Sequence, residues 1–162
     1  MSVVCPTRIE NFRALRASSG ISEDAERWEA QEYNIREDMS RATSLEGQEI
    51  EQDLFLLFQE HSTDNWDGYG AKAVTQEGLS AAFSFWWMLP TTVPRPELGV
   101  DPDGSIVFEW YRRPRRVFSV TVEKDNRLIY AGLFDSNKAS GTEYFEHDLP
   151  ETIFLQIQRV IS

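Results

Sequence analysis

The chain has 162 residues, enough for one domain that buries roughly 70% of the surface its unfolded form exposes. Its ten Phe, five Trp and five Tyr exclude a mainly disordered polymer, and 16 basic against 27 acidic residues give a net charge of −11. Such a field repels nucleic-acid phosphates and argues against a general role in coating DNA or RNA.

Ile9, Phe12 and Leu15 recur at helical spacing and predict a short helix ending near Ser18. A longer helix follows, with Ile21, Ala25, Trp28, Ile35 and Met39 on one stripe and Ser22 as N-cap. Glu23, Asp24, Glu26, Glu29 and Glu32 fill its other faces, either as a solvated surface or as an acidic face for a basic partner. Thr43 and Glu46 are spaced as a capping box for a third helix, whose stripe is Ile50, Leu54, Leu57, Phe58 and His61. After a polar, glycine-rich loop over 62–72, a fourth helix is predicted over 76–89, with Thr75 as N-cap and Val74 and Leu79 as a hydrophobic staple. Pro90, Pro94 and Pro96 then force an extended connector.

From Asp103-Gly104 onward the period changes to two. Ile106, Phe108 and Trp110 alternate with polar neighbours, as do Phe118, Val120 and Val122, then Leu128, Tyr130 and Phe134. A loop over 135–141 leads to a last strand at 142–146, and Asp148 is expected to cap a final helix bearing Ile153, Ile157, Val160 and Ile161. These elements predict an α+β fold, a four-stranded antiparallel meander with helices packed on one face. Residues 1–45 are expected to form a helical acidic arm and residues 46–162 the core domain.

The least generic stretch is Asn65-Trp66-Asp67-Gly68-Tyr69-Gly70-Ala71. With Leu89-Pro90, the proline-rich connector and Asp101-Pro102-Asp103-Gly104-Ser105 running into Phe108-Glu109-Trp110, it resembles a family of small bacterial and phage proteins of uncharacterised activity. That family carries a W-D-G-x-G-A element, a helix ending in L-P and a P-D-G-x-I/V-x-x-E-W strand. The resemblance covers residues 64–134 and implies a shared fold and a prokaryotic or mobile-element setting. Read physically, the glycines permit positive φ, and Asp67 is placed to bond nearby amides in an Asx-turn. Trp66 and Tyr69 are expected either to plug the core between helices and sheet or, with Asp67, to face a partner.

Chemistry-bearing constellations are few. His61 and His147 are the two histidines and have no HxH or HExxH spacing, so no metal site is expected. Cys5 is the one cysteine, which excludes an intramolecular disulfide framework. No GxSxG, SxxK, GxxxxGK[ST] or GxGxxG element is present, so no cofactor is expected. Asp64, Asp67, Asp101 and Asp103 look like fragments of a calcium loop, but the full pattern is not met, and they read as turn aspartates. No uninterrupted apolar run reaches the ~18 residues of a membrane span, and none near Met1 suits a secretory signal. A cytoplasmic protein is the expectation.

The basic cluster is Arg112-Arg113-Pro114-Arg115-Arg116, an exposed hairpin loop because proline blocks a regular ladder. It is either a counterweight to the acidic helices or a fork for phosphate or carboxylate groups. The balance favours a non-enzymatic acidic module that docks on a protein with a basic surface, itself a candidate nucleic-acid-binding protein. An inhibitor or antitoxin-like partner, of anti-defence, anti-CRISPR or nucleic-acid-mimicking type, fits that size and charge. The alternative is a nucleic-acid-binding or processing factor that uses the arginine loop, although direct nucleic-acid binding is disfavoured by the net charge.

Overall fold

The structure, a computed structural model, describes residues 45–162. The first two expected helices, Thr43, Cys5, the arm over 1–45 and the acidic residues Glu23, Asp24, Glu26, Glu29 and Glu32 lie outside the described residues, apart from Leu45 itself. Helix α1 (Leu45–Glu60) buries Ile50 and Leu54 completely and half-buries Leu57 and Phe58, the stripe its sequence predicts. Helix α2 (Gln76–Met88) starts where expected, because Thr75 Oγ1 accepts the Gly78 N–H at 3.0 Å. Gly78, Ala81 and Ala82 are buried beside Phe85 and Trp86, so small side chains let this helix lie close to its neighbours. It stops at Leu89, whose extended backbone is what a residue preceding proline requires. In helix α3 (Glu151–Ile161) Ile153, Ile157 and Val160 are fully buried. Its N-cap is Pro150, with no side-chain cap bond, rather than Asp148, which is exposed. The Pro150 carbonyl takes up the Ile153 and Phe154 N–H groups in place of a capping carboxylate.

The class is α+β, with five strands where four were expected. Strands β1 (Glu97–Val100), β2 (Ile106–Arg113), β3 (Arg116–Val122), β4 (Arg127–Phe134) and β5 (Asn137–Tyr144) pair antiparallel in sequential order. β1 lies within the supposed connector. Only four residues long and next to Pro96, it carries too short an alternation to be read as a strand. The last strand begins at Asn137, not Thr142, so the supposed loop over 135–141 is a tight turn and half a strand. Its Asn, Lys, Ala, Ser and Gly have low strand propensity, and pairing with β4 overrides them.

One face of the sheet makes the core. Ile106 pairs with Val122 and Val122 with Leu128; Phe108 pairs with Val120, and Trp110 with Phe118. All of these side chains are buried, and Phe85 of α2 meets Phe108 edge to face at 5.0 Å. All three helices pack on this face. The opposite face carries Val107, Glu109, Tyr111, Thr121 and Ile129 and is not covered by any described helix. No helix among the described residues is long and apolar enough to cross a membrane. Phe108 sits at the junction of α2 and the sheet, so Phe108→Ala should destabilise the fold by about 3–5 kcal/mol, measured by chemical denaturation.

Candidate functional site

The 65–71 loop leaves the C-terminal end of α1 and folds on itself. The Asn65 N–H donates to the Ala71 carbonyl at 2.6 Å, the Gly68 N–H to the Asn65 carbonyl at 3.0 Å, and the Gly70 N–H to Asn65 Oδ1 at 2.8 Å. Asp67 Oδ1 accepts the Tyr69 N–H at 2.8 Å and the Ala71 N–H at 3.1 Å, the expected Asx-turn. Those amides, Tyr69 first and then Ala71, hold the Asp67 carboxyl below its ordinary value of 3.8. Asn65, Gly68 and Gly70 all adopt positive φ, the left-handed region that Asn and Gly enter most easily.

The aromatic residues of this loop do not plug the core between helices and sheet. Trp66 is half-buried in a satellite contact, its indole N–H donating to the Lys72 carbonyl at 2.9 Å. Its ring meets His61 edge to face at 4.4 Å, and His61 Nδ1 lies 2.7 Å from the Leu57 carbonyl. Tyr69 is 95% exposed. The loop is short and bonded from both sides, so its backbone has no slack with which to swing Tyr69 inward.

Both stretches that carried the family resemblance dock on each other. The Lys72 N–H donates to the Pro102 carbonyl at 2.8 Å, and a Cβ at Gly104 would lie 2.5 Å from the Ala73 carbonyl oxygen. Gly104 also has a φ of 88°, so both its space and its conformation exclude a side chain. Asp64 Oδ1 accepts the Ala73 N–H at 2.9 Å, Asp103 Oδ1 accepts the Ser105 N–H at 2.9 Å, and Asp101 Oδ2 accepts from Thr121 Oγ1 at 3.2 Å. Asp103 closes its own turn as expected, whereas the Asp64 and Asp101 carboxylates tie together segments nine and 20 residues apart; no group of three or more acidic, His or Cys side chains among the described residues is arranged to hold a metal. Beside the junction, Asp64, Lys72, Thr75, Asp103 and Lys124 line an open cleft of about 600 Å³.

The arginine loop lies elsewhere. Arg113 pairs with Asp135 at 2.8 Å, Arg115 Nε donates to the Asp135 carbonyl at 3.0 Å, and Arg116 Nη2 donates to the Arg159 carbonyl at 2.9 Å. The Asp135 N–H in turn donates to the Arg115 carbonyl at 2.7 Å. Three of the four arginines thus latch the β2–β3 turn to the β4–β5 turn and to the end of α3; Arg112 is exposed. Among the described residues their partners are a turn aspartate and backbone carbonyls; the acidic helix expected over 23–38 lies outside the described residues.

A second concavity escaped the sequence. Asp53, Leu56, Leu57 and Glu60 of α1 face Leu98 and Val100 of β1 across a groove of about 400 Å³, with His61 at one end. Leu57 and His61 belong to the stripe the sequence predicts; Asp53, Leu56 and Glu60 do not, and their meaning depends on recognising β1. Comparison with known proteins finds no matching family model, no matching curated protein and no matching solved structure.

Two measurements check the site. Gly104→Ala should destabilise by at least about 2 kcal/mol, since it combines positive φ with a backbone clash, whereas Gly68→Ala, with open space around it, should cost only about 1 kcal/mol. Asp67 has a lowered folded-state value, so it stabilises the loop above 3.8 and loses that contribution as pH falls through the folded-state value. The NMR shifts of the Tyr69 and Ala71 amide protons, which bond Asp67 Oδ1, should therefore be constant from neutral pH down to about pH 5 and change only in stronger acid.

Proposed function

We propose that this chain is a non-enzymatic protein-binding module whose acidic, aromatic-bearing surface docks on a partner with a basic surface. The observation that carries the reading is Tyr69, 95% exposed on a loop whose backbone is already fixed by Asn65 and Asp67. An aromatic side chain presented on a pre-ordered backbone loses little conformational freedom on binding, and Tyr is among the residues that dominate interface energies. The net charge of −11 adds long-range steering toward a basic partner. Asp67 and Trp66 act here as supports for the loop rather than as contact residues.

An inhibitor or antitoxin-like role in a bacterial or phage mobile element is the setting we infer from the motif resemblance, and a nucleic-acid-binding protein is the partner class that its charge suits. The nucleic-acid alternative needs a free arginine array. With Arg113, Arg115 and Arg116 engaged in local contacts, Arg112 alone is unengaged within that loop, which weighs against it.

A partner captured from the native host, identified and purified, gives the test. Its association should slow as salt rises, since steering is screened over ~8 Å at physiological ionic strength, and Tyr69→Ala should weaken binding by about tenfold or more without altering the thermal midpoint. Wild-type chain should show no saturable binding to RNA or DNA in fluorescence anisotropy at low salt. Saturable nucleic-acid binding that disappears when Arg112, Arg113, Arg115 and Arg116 are replaced by Ala would overturn the proposal.

A further inference from the structure

We infer that the groove between α1 and the free edge of β1 captures an extended segment of a partner protein, in which basic and apolar residues alternate, as an additional strand antiparallel to β1. The inference rests on the protein-binding reading and gives it a site and a partner chemistry.

The backbone supplies the first part. The Asp101 N–H donates to the Ser105 carbonyl at 2.9 Å, which fixes the phase of the β1–β2 ladder. Bonded and non-bonded pairs alternate in an antiparallel ladder, so Gly99 with Val107 and Glu97 with Glu109 are the bonded pairs. Leu98 and Val100 therefore direct their N–H and C=O groups away from β2. β1 is the terminal strand of the sheet, and among the described residues nothing bonds those groups. An edge with unpaired donors and acceptors is a template for one more strand.

The side chains say what that strand must carry. On the helix side, Leu56 and Leu57 face Leu98 and Val100, so positions of the incoming segment that point into the groove are apolar. Glu60 closes one end of that groove; Asp53, at the other, is already taken by Arg95, which bridges it to Glu49. On the opposite face Glu97 lies directly across from Glu109. Like charges at such a position are destabilising, and among the described residues neither is in an ion pair. A strand added beside β1 places its outward positions next to Glu97, where a Lys or Arg relieves the repulsion. Apolar inward and basic outward is the resulting pattern. His61 lines the groove and also packs against Trp66, so groove and Tyr69 loop share a wall.

Residues 1–44 are a poorer occupant on charge. They hold eight carboxylates against six cations, with the carboxylates concentrated between Glu23 and Asp38.

The probe is a capped, fluorescein-labelled heptapeptide of alternating Lys and Val, added to the full chain and followed by anisotropy and by amide hydrogen exchange. Saturable binding that weakens with salt is expected, as is exchange that is fast at Leu98 and Val100 in the free chain and slowed by peptide. The same peptide N-methylated on its valines loses the ladder and should not bind. Glu97→Lys with Glu109→Lys should weaken binding by about tenfold or more. Leu98→Pro removes an outward N–H without touching the β2 ladder and should abolish binding, with circular dichroism reporting the fold. An alternating Glu/Val peptide should not bind.

Absence of binding to wild type, or undiminished binding of the N-methylated peptide, overturns the inference. Slow exchange of Leu98 and Val100 in the free chain does so too, assigning the edge to residues 1–44, or to a second copy where the protection grows with protein concentration. If the purified host partner binds Leu98→Pro as tightly as wild type, the edge site fails while the protein-binding reading stands. Saturable nucleic-acid binding through the arginines removes that reading instead.

Discussion

The contact between the 65–73 segment and the 101–105 turn is the constraint on which the rest of the described structure depends. It joins the α1–α2 linker to the β1–β2 hairpin through the Lys72–Pro102 hydrogen bond and the close approach of Gly104 to the Ala73 carbonyl. Helices α1 and α2 reach the sheet from one side of this contact, and β1 leaves it from the other. The Val74 N–H bonds the His61 carbonyl at 2.9 Å, so the same segment is pinned at the end of α1 as well. Were the Gly104 approach to open, α1 would lose its fixed spacing from β1. Groove, Tyr69 loop and β1 edge are therefore one geometric unit, although Leu57 and Leu98, on the two walls of the groove, are 41 positions apart in sequence.

A second set of clamps holds the connector. The Trp110 indole donates to the Pro94 carbonyl at 2.9 Å, and Arg95 forks across Glu49 and Asp53 of α1. Ion pairs that are this exposed contribute little to stability individually. Their effect is directional: with prolines on both sides of Arg95, the chain has few conformations left, and the fork selects one that delivers Glu97 to the sheet. β1 forms as a strand because its ends are placed, not because its four residues demand it.

That difference explains what was legible in the sequence. The apolar stripes of α1 and α3, the Thr75 cap and the alternation of β2, β3 and β4 were all readable, since each is written in the spacing of residues that the core buries. β1 and the first half of β5 were not. Both are edge strands, with a single pairing partner and few large apolar residues, and tertiary pairing supplies what propensity lacks. The 65–71 loop was recognisable as special, and its Asx-turn was derivable from Asp67 and the glycines. The fates of Trp66 and Tyr69 were not, because alternation and spacing say nothing about which way a non-periodic loop points. The groove was invisible for a simpler reason: one of its walls is β1.

The placement of charge bears on function more than its total. Over residues 45–162 there are 19 carboxylates and ten cations. Arg95, Arg113 and Arg127 are in ion pairs, and Arg115 and Arg116 bond backbone carbonyls. Arg159 lies over the Phe134 ring, so more than half of the cations are engaged within the fold, while Glu49, Asp53, Glu123 and Asp135 are the carboxylates in ion pairs among the described residues, the first two sharing Arg95. These contacts do not change the excess of carboxylates over cations in residues 45–162, so the surface left to a partner stays acidic. At the β1 edge this takes a specific form, because the ladder register sets Glu97 opposite Glu109 and no ion pair among the described residues includes either one. A carboxylate pair that the fold itself does not neutralise is an unfavourable arrangement in the isolated chain, and a cationic partner strand is the simplest element that removes it.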